Sequence, residues 1–89
     1  MAWKIEFTPR AERSLNKLDH EVAGRVLNYL YVRLAKSEDL FKLGKALLGP
    51  EHVNMWRFRV GDYRILTRIQ RDIMTVFVVE IGHRRQVYR

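Results

Sequence analysis

Hydrophobic and polar residues alternate strictly at the start of the chain, with Trp3, Ile5 and Phe7 on one side and Lys4 and Glu6 on the other. A period of two is that of a strand with one buried face. The period then changes. Thr8-Pro9 couples an N-cap residue to a proline at the first helical position, and Ala11, Leu15 and Leu18 recur at helical spacing. This predicts a helix over about Pro9 to Leu18, with Phe7 stapling its entry. Asp19 is placed to cap a second helix. Its stripe of Ala23, Val26, Leu27, Leu30 and Leu34 turns to the core, while Glu21, Arg25 and Arg33 face out. The connection between the two is nearly absent and neither outer face concentrates basic residues. The pair therefore reads as an αα-hairpin and not as the helix–turn–helix of a DNA reader.

From Lys36 to Asn54 the pattern weakens, with breakers at Gly44 and Gly49-Pro50. This is a long connection with a helical turn at Asp39 to Leu43, and it carries Lys42 and Lys45; long loops in small domains are often functional. Period two then returns. Trp56, Phe58 and Val60 alternate with Arg57 and Arg59, Gly61-Asp62 is a turn pair, and Tyr63, Ile65, Thr67 and Ile69 alternate with Arg64, Leu66 and Arg68. Gln70-Arg71-Asp72 makes a second turn, and Met74 to Ile81 is apolar on both faces, as a central strand is. The order is β-α-α-β-β-β. It predicts an α+β fold whose N-terminal αα-hairpin packs on one face of a small, twisted, largely antiparallel sheet.

Composition narrows what such a fold can do. A chain of 89 residues is expected to form one domain spanning residues 1–89. A core of that size is thin, so a sheet face or a loop is a better working surface than a deep pocket. Hydrophobic residues at 47% and charged residues at 30% suit a folded globular chain. The absence of cysteine excludes disulfides and thiolate metal sites and favours the cytoplasm. No stretch approaches the roughly 20 apolar residues of a membrane span, and the alternating start lacks the apolar run of a signal peptide. Lys+Arg number 17 against 10 Asp+Glu, a net charge of +7. An excess of that size calls for a polyanionic partner.

The position of the charge is more informative than its sum. If Gly61-Asp62 is a two-residue turn, Val60 faces Tyr63, Arg59 faces Arg64 and Phe58 faces Ile65. Residues directly opposite share a face, so Arg57, Arg59 and Arg64 lie together, with Arg68 further along. Like charges set opposite each other repel, an arrangement most easily kept where an anion sits between them. Guanidinium forks match phosphate oxygens in pairs. The tail adds His83, Arg84, Arg85, Tyr88 and Arg89. The register of the last hairpin is open, and a one-residue slip exchanges the faces of His83 and Arg84.

His20, His52 and His83 lack ligand spacing, and no paired carboxylates, phosphate-cradling glycine loop or Ser/His/Asp signature is present. No metal site or cofactor is expected. A chain of this kind that cuts RNA would do so through the substrate's own 2′-hydroxyl attacking the adjacent phosphate, which requires alignment, charge stabilisation and proton handling.

The stretch Trp-Arg-Phe-Arg-Val-Gly-Asp-Tyr-Arg, followed by Gly-His-Arg-Arg-Gln-Val-Tyr-Arg, in a β-α-α-β-β-β chain of this size resembles the RelE toxins of the RelE/ParE superfamily. The likeness spans essentially the whole chain. It implies a type II toxin: a metal-independent, ribosome-dependent endoribonuclease that cleaves mRNA in the 30S A site and inhibits translation in the cytoplasm. It also implies a cognate RelB-like antitoxin as partner, the pair binding operator DNA through the antitoxin. By the same resemblance Arg57, Arg59, Arg64, Arg84 and Tyr88 are catalytic. Arg57 and Arg59 hold and stabilise the phosphate, and Arg64 stabilises the transition state. Arg84 serves leaving-group protonation or phosphate contact, and Tyr88 orients the nucleotide or assists with the 2′-hydroxyl proton. Lys45, His83 and Arg85 are RNA contacts.

Some RelE toxins carry lysines where this chain has Arg57 and Arg59. Arginine cannot exchange a proton there, which leaves those positions an electrostatic role. His83 either shares proton handling with Tyr88 or touches backbone or phosphate as a tail residue. Two other functions fit the same residues: a ParE-like gyrase poison, and a noncatalytic RNA- or ribosome-binding module.

Overall fold

A computed structural model describes residues 2–83. The first strand, β1 (Lys4–Phe7), leads through Thr8 into helix α1 (Pro9–Asn16), and α2 (His20–Asn28) follows. The Thr8 hydroxyl caps α1 by accepting from the Ala11 amide at 3.1 Å. It also donates to the carbonyls of Val78 and Val79 at 3.0 and 3.2 Å. One side chain thus starts the helix and pins it to the far end of the sequence. The first helix ends short of the expected Leu18.

The second helix continues to Leu34, as its apolar stripe requires, but Tyr29–Leu34 is wound as a π-helix. The Ala35 amide reaches back five residues to the Leu30 carbonyl at 2.9 Å, while the Ala35 carbonyl accepts from the Trp3 amide at 2.7 Å. Leu30 and Leu34 are both fully buried.

The three long strands are β3 (Met55–Val60), β4 (Tyr63–Gln70) and β5 (Thr75–His83), and a short β2 (Gly44–Ala46) precedes them. The sheet order is β1-β5-β4-β3-β2. β1 runs parallel to β5, and the other three pairings are antiparallel. The apolar-on-both-faces segment is an interior strand, as read from its pattern.

Strand β2 lies inside the segment read as a connection, and Gly44, read as a breaker, is part of it. A Cβ on Gly44 would stand 2.5 Å from the Arg57 carbonyl oxygen and 2.6 Å from the Phe58 ring. Only glycine lets the edge strand close on β3 at this point. The helical turn expected nearby is present as a 3₁₀ turn, Leu40–Lys42.

Both helices pack on one face of the sheet. Phe58, Ile65, Ile69, Val76, Val78 and Ile81 meet Ala11, Val26, Leu30, Leu34 and Leu40 there, forming the core. Thr67 is buried among them, its hydroxyl satisfied by the Trp56 carbonyl at 2.8 Å. No helix of the described residues packs on the opposite face. β4 and β5 keep simple alternation except at a bulge: Glu80 pairs with Leu66 and Val78 with Thr67, leaving Val79 as the extra residue. The Thr8 hydroxyl grips β5 at this bulge.

Replacing Thr8 by valine keeps the side-chain shape but removes the cap and both donations to β5. The variant is expected to lose about 1–2 kcal/mol of stability. The check is a lowered denaturant midpoint at unchanged m-value.

Candidate nucleic-acid interface

Gly61 has φ of 58°, and the non-glycine residues at positive φ, Asn54 and Met74, lie elsewhere. A two-residue turn with positive φ at its first central position only is type II′, whose twist matches a hairpin. It sets the predicted register: Val60 opposite Tyr63, Arg59 opposite Arg64, Phe58 opposite Ile65. Since Phe58 and Ile65 point into the core, Arg57, Arg59, Arg64 and Arg68 point to the uncovered face.

The short edge strand contributes to the same face. Lys45 is the direct partner of Arg57. Lys42, at the end of the 3₁₀ turn, comes in beside it. Together Lys42, Lys45, Arg57, Arg59 and Arg64 line a pocket of about 260 Å³ that also includes Gly44, and no carboxylate of the described residues lines it. Five cations converging in one pocket make a site suited to an anion. Among the described residues no three His, Cys, Asp or Glu side chains gather as a metal site.

The structure thus brings Arg57, Arg59, Arg64 and Lys45 together. Arg84, Arg85 and Tyr88 lie outside the described residues. His83 is placed elsewhere. It pairs with Tyr63, their rings 5.7 Å apart at 80°. That puts it on the helix-covered side, near Lys17 and Leu18 around a separate cleft. Lys42, a loop residue to which neither pattern nor resemblance gives a role, is part of the pocket. Its approach to Arg57 depends on β2, which no local pattern announces. Burial pushes the Tyr29 phenol above its ordinary value of 10.0, with Arg33 partly offsetting the rise. Tyr29 packs against the core from the helical layer and takes no part in the pocket.

Residues 5–88 match the family described as the ParE toxin of type II toxin–antitoxin system, parDE. Over all 89 residues the chain is 32% identical to Toxin RelG of Mycobacterium tuberculosis, covering 100% of this chain and 99% of that protein. The chain belongs to the RelE/ParE superfamily of type II toxins.

The toxin's fold agrees with solved structures. A chain of the RelBE2 toxin–antitoxin complex of Mycobacterium tuberculosis superposes with a TM-score of 0.84 at 26% identity, over 93% of this chain and 99% of that one. The isolated RelE toxin of Escherichia coli superposes with a TM-score of 0.74 at 21% identity, over 92% of this chain and 84% of that one, a likeness of fold. The arrangement of two helices on a five-stranded mixed sheet is therefore that of the RelE toxins.

Gly44→Ala in this toxin is expected to push β2 off β3 while leaving the rest of the sheet in place. The Leu47 amide, which donates to the Met55 carbonyl at 3.0 Å, should exchange with solvent at least about tenfold faster. The Ile69 amide, bonded to the Asn54 carbonyl at 2.9 Å, should keep its rate.

Proposed function

We propose that this toxin is an endoribonuclease that cuts mRNA in the ribosomal A site and so inhibits translation. The observation that carries the reading is the convergence of five cations in one pocket on the sheet face opposite the helices, centred on the opposed Arg59 and Arg64. In the reaction the 2′-oxygen attacks the adjacent phosphorus as its proton is withdrawn. A 2′,3′-cyclic phosphate forms, and the 5′-oxygen leaves with a proton. Charge accumulates on the non-bridging oxygens, where guanidinium forks act most strongly.

Arg57 and Arg59 hold the phosphate, and Arg64 faces the charge that develops in the transition state. Lys45 and Lys42 steer the strand into the pocket. These guanidinium and ammonium groups serve as hydrogen-bond donors and fixed charges, not as proton carriers. By resemblance, Tyr88 orients the nucleotide or assists with the 2′-hydroxyl proton, Arg84 serves leaving-group protonation or phosphate contact, and Arg85 is a further RNA contact. This scarcity of acid–base groups is our reading of why the ribosome is required: it aligns the mRNA for in-line attack. The chemistry as written calls on no metal or cofactor.

The natural antagonist is a cognate RelB-like antitoxin in the same cytoplasm. The existence of a toxin–antitoxin complex for the similar Mycobacterium tuberculosis protein supports this. An acidic or amphipathic segment that folds on binding would neutralise the cation pocket. Operator DNA would be contacted through that antitoxin.

One observation favours a second reading, a gyrase poison: the matching family model is that of the ParE toxin. The pocket's phosphate-matched arginines favour RNA. Primer extension on an mRNA under translation separates the two. Cuts in register with codons support the endoribonuclease, whereas DNA breaks dependent on gyrase without mRNA cuts support the alternative.

Arg64→Ala is expected to lower the cleavage rate by about 10²–10³ with the fold intact. Arg64→Lys should recover only part of that, because an ammonium lacks the planar fork. His83→Gln is expected to stay within about tenfold of wild type, since a distal histidine forfeits general acid–base catalysis. A larger loss would return His83 to the reaction.

A further inference from the structure

The uncovered face carries a second feature that the cation pocket does not explain. Beyond Arg64 along β4, Arg68 and Gln70 form one wall of a groove of about 360 Å³; Pro9 and Arg10 form the other, and Phe77 and Val79 its floor. Phe77 is the direct partner of Arg68. An aromatic ring on this face does no work for the core, which lies on the other side of the sheet. The bulge at Val79 widens the floor by one apolar residue.

The charge here is of a different kind from that of the pocket. Arg10 is held by Glu80 at 2.9 Å, and Glu6, beside Phe77 on β1, is held by Lys4 at 3.2 Å. Counting Lys4, Arg10 and Arg68 against Glu6 and Glu80 leaves one positive charge. That is too little to select a polyanion by itself, and little inducement for an acidic protein segment. The groove therefore favours a flat, largely apolar group with hydrogen-bonding edges, whose attached anion is held elsewhere. A guanidinium fork has five donors, so Arg10 keeps several after meeting Glu80, and its side chain remains 63% exposed. Gln70 offers a donor and an acceptor to a base edge.

We infer that this groove is a nucleotide subsite of the toxin, in which the base of an RNA residue flanking the pocket-bound phosphate stacks on Phe77 between Arg10 and Arg68. The inference rests on the RNA reading above. Four residues along β4 separate Arg64 from Arg68, about 13 Å at the rise of a strand. A stacked single strand advances ~3.4 Å per nucleotide, so the stacked base lies at most about four nucleotides from the scissile phosphate. Base–aromatic stacking tolerates any base. The groove thus contributes affinity and alignment without imposing a sequence, and Phe77 is a positioning residue.

The test is fluorescence anisotropy at low salt with the full chain and 2′-O-methyl RNA, which binds but cannot be cut. A dinucleotide fills the pocket only, whereas a hexanucleotide also reaches the groove. Phe77→Ala should weaken hexanucleotide binding at least about fivefold and leave the dinucleotide unchanged. Phe77→Leu, which keeps the apolar volume but removes the ring, should do nearly the same, and Phe77→Trp should restore binding. Equal weakening of both lengths, or of neither, overturns the subsite. So does hexanucleotide binding that is intact in a Phe77 variant that no longer binds its antitoxin, an outcome that gives the groove to a protein segment. If the wild-type chain binds neither RNA, the RNA reading itself falls along with the subsite.

Discussion

Two arginines held directly across a hairpin repel each other, and the arrangement of this molecule's working surface follows from that enforced encounter. The constraint is the two-residue turn at Gly61-Asp62, whose positive φ at glycine sets Arg59 against Arg64. A one-residue slip would relieve the repulsion, but it would also carry Phe58 and Ile65 out of the core. Burying those two side chains outweighs a repulsion between partly solvated charges, by roughly 1.5–3 kcal/mol per buried side chain against at most about 1 kcal/mol for a cross-strand pair. The fold keeps the register, and the unfavourable pair becomes a place where an anion is welcome.

The sheet is divided accordingly. One face belongs to the helices and the core; the other bears no helix of the described residues and gathers the cationic side chains. Edge strand β2 completes the charged pocket because Gly44 has no Cβ to collide with Phe58, so a buried ring indirectly decides where Lys42 and Lys45 stand. At the other end of the same face, Thr8 fastens α1 to the bulge in β5 and brings Pro9 and Arg10 over Phe77. Structural fastening and the cation-rich surface are separated by the thickness of one sheet.

Features decided within a few residues were legible in the sequence: the Thr8-Pro9 helix start, the glycine turn, the alternation of β3 and β4, and hence the Arg59–Arg64 pair. Features decided by distant partners were not. Gly44 reads as a breaker unless one knows that Phe58 and the Arg57 carbonyl lie against it. The π-helical winding of Tyr29–Leu34 goes with the Ala35 carbonyl meeting Trp3, a contact between the end of α2's extension and the start of the chain. The face of His83 depends on the bulge at Val79, which falls in a stretch apolar on both sides, where alternation carries no signal. Among the candidate site residues, the strand arginines came together because hairpin geometry is local. Lys45 and Lys42 joined them by way of β2, a strand that sequence could not announce.

The parallel pairing of Lys4–Phe7 with Thr75–Val78 has a consequence for how the molecule comes into being. The first strand made on the ribosome has no partner until the last one has been synthesised, and pairing across such a separation is slow because loop-closure entropy must be lost first. α1 waits as well, since the Thr8 hydroxyl bonds to Val78 and Val79. A nascent chain of this toxin therefore emerges as an incomplete sheet, and the interval before Thr75–Val78 closes onto Lys4–Phe7 is a window in which an antagonist already present meets a chain that is not yet armed.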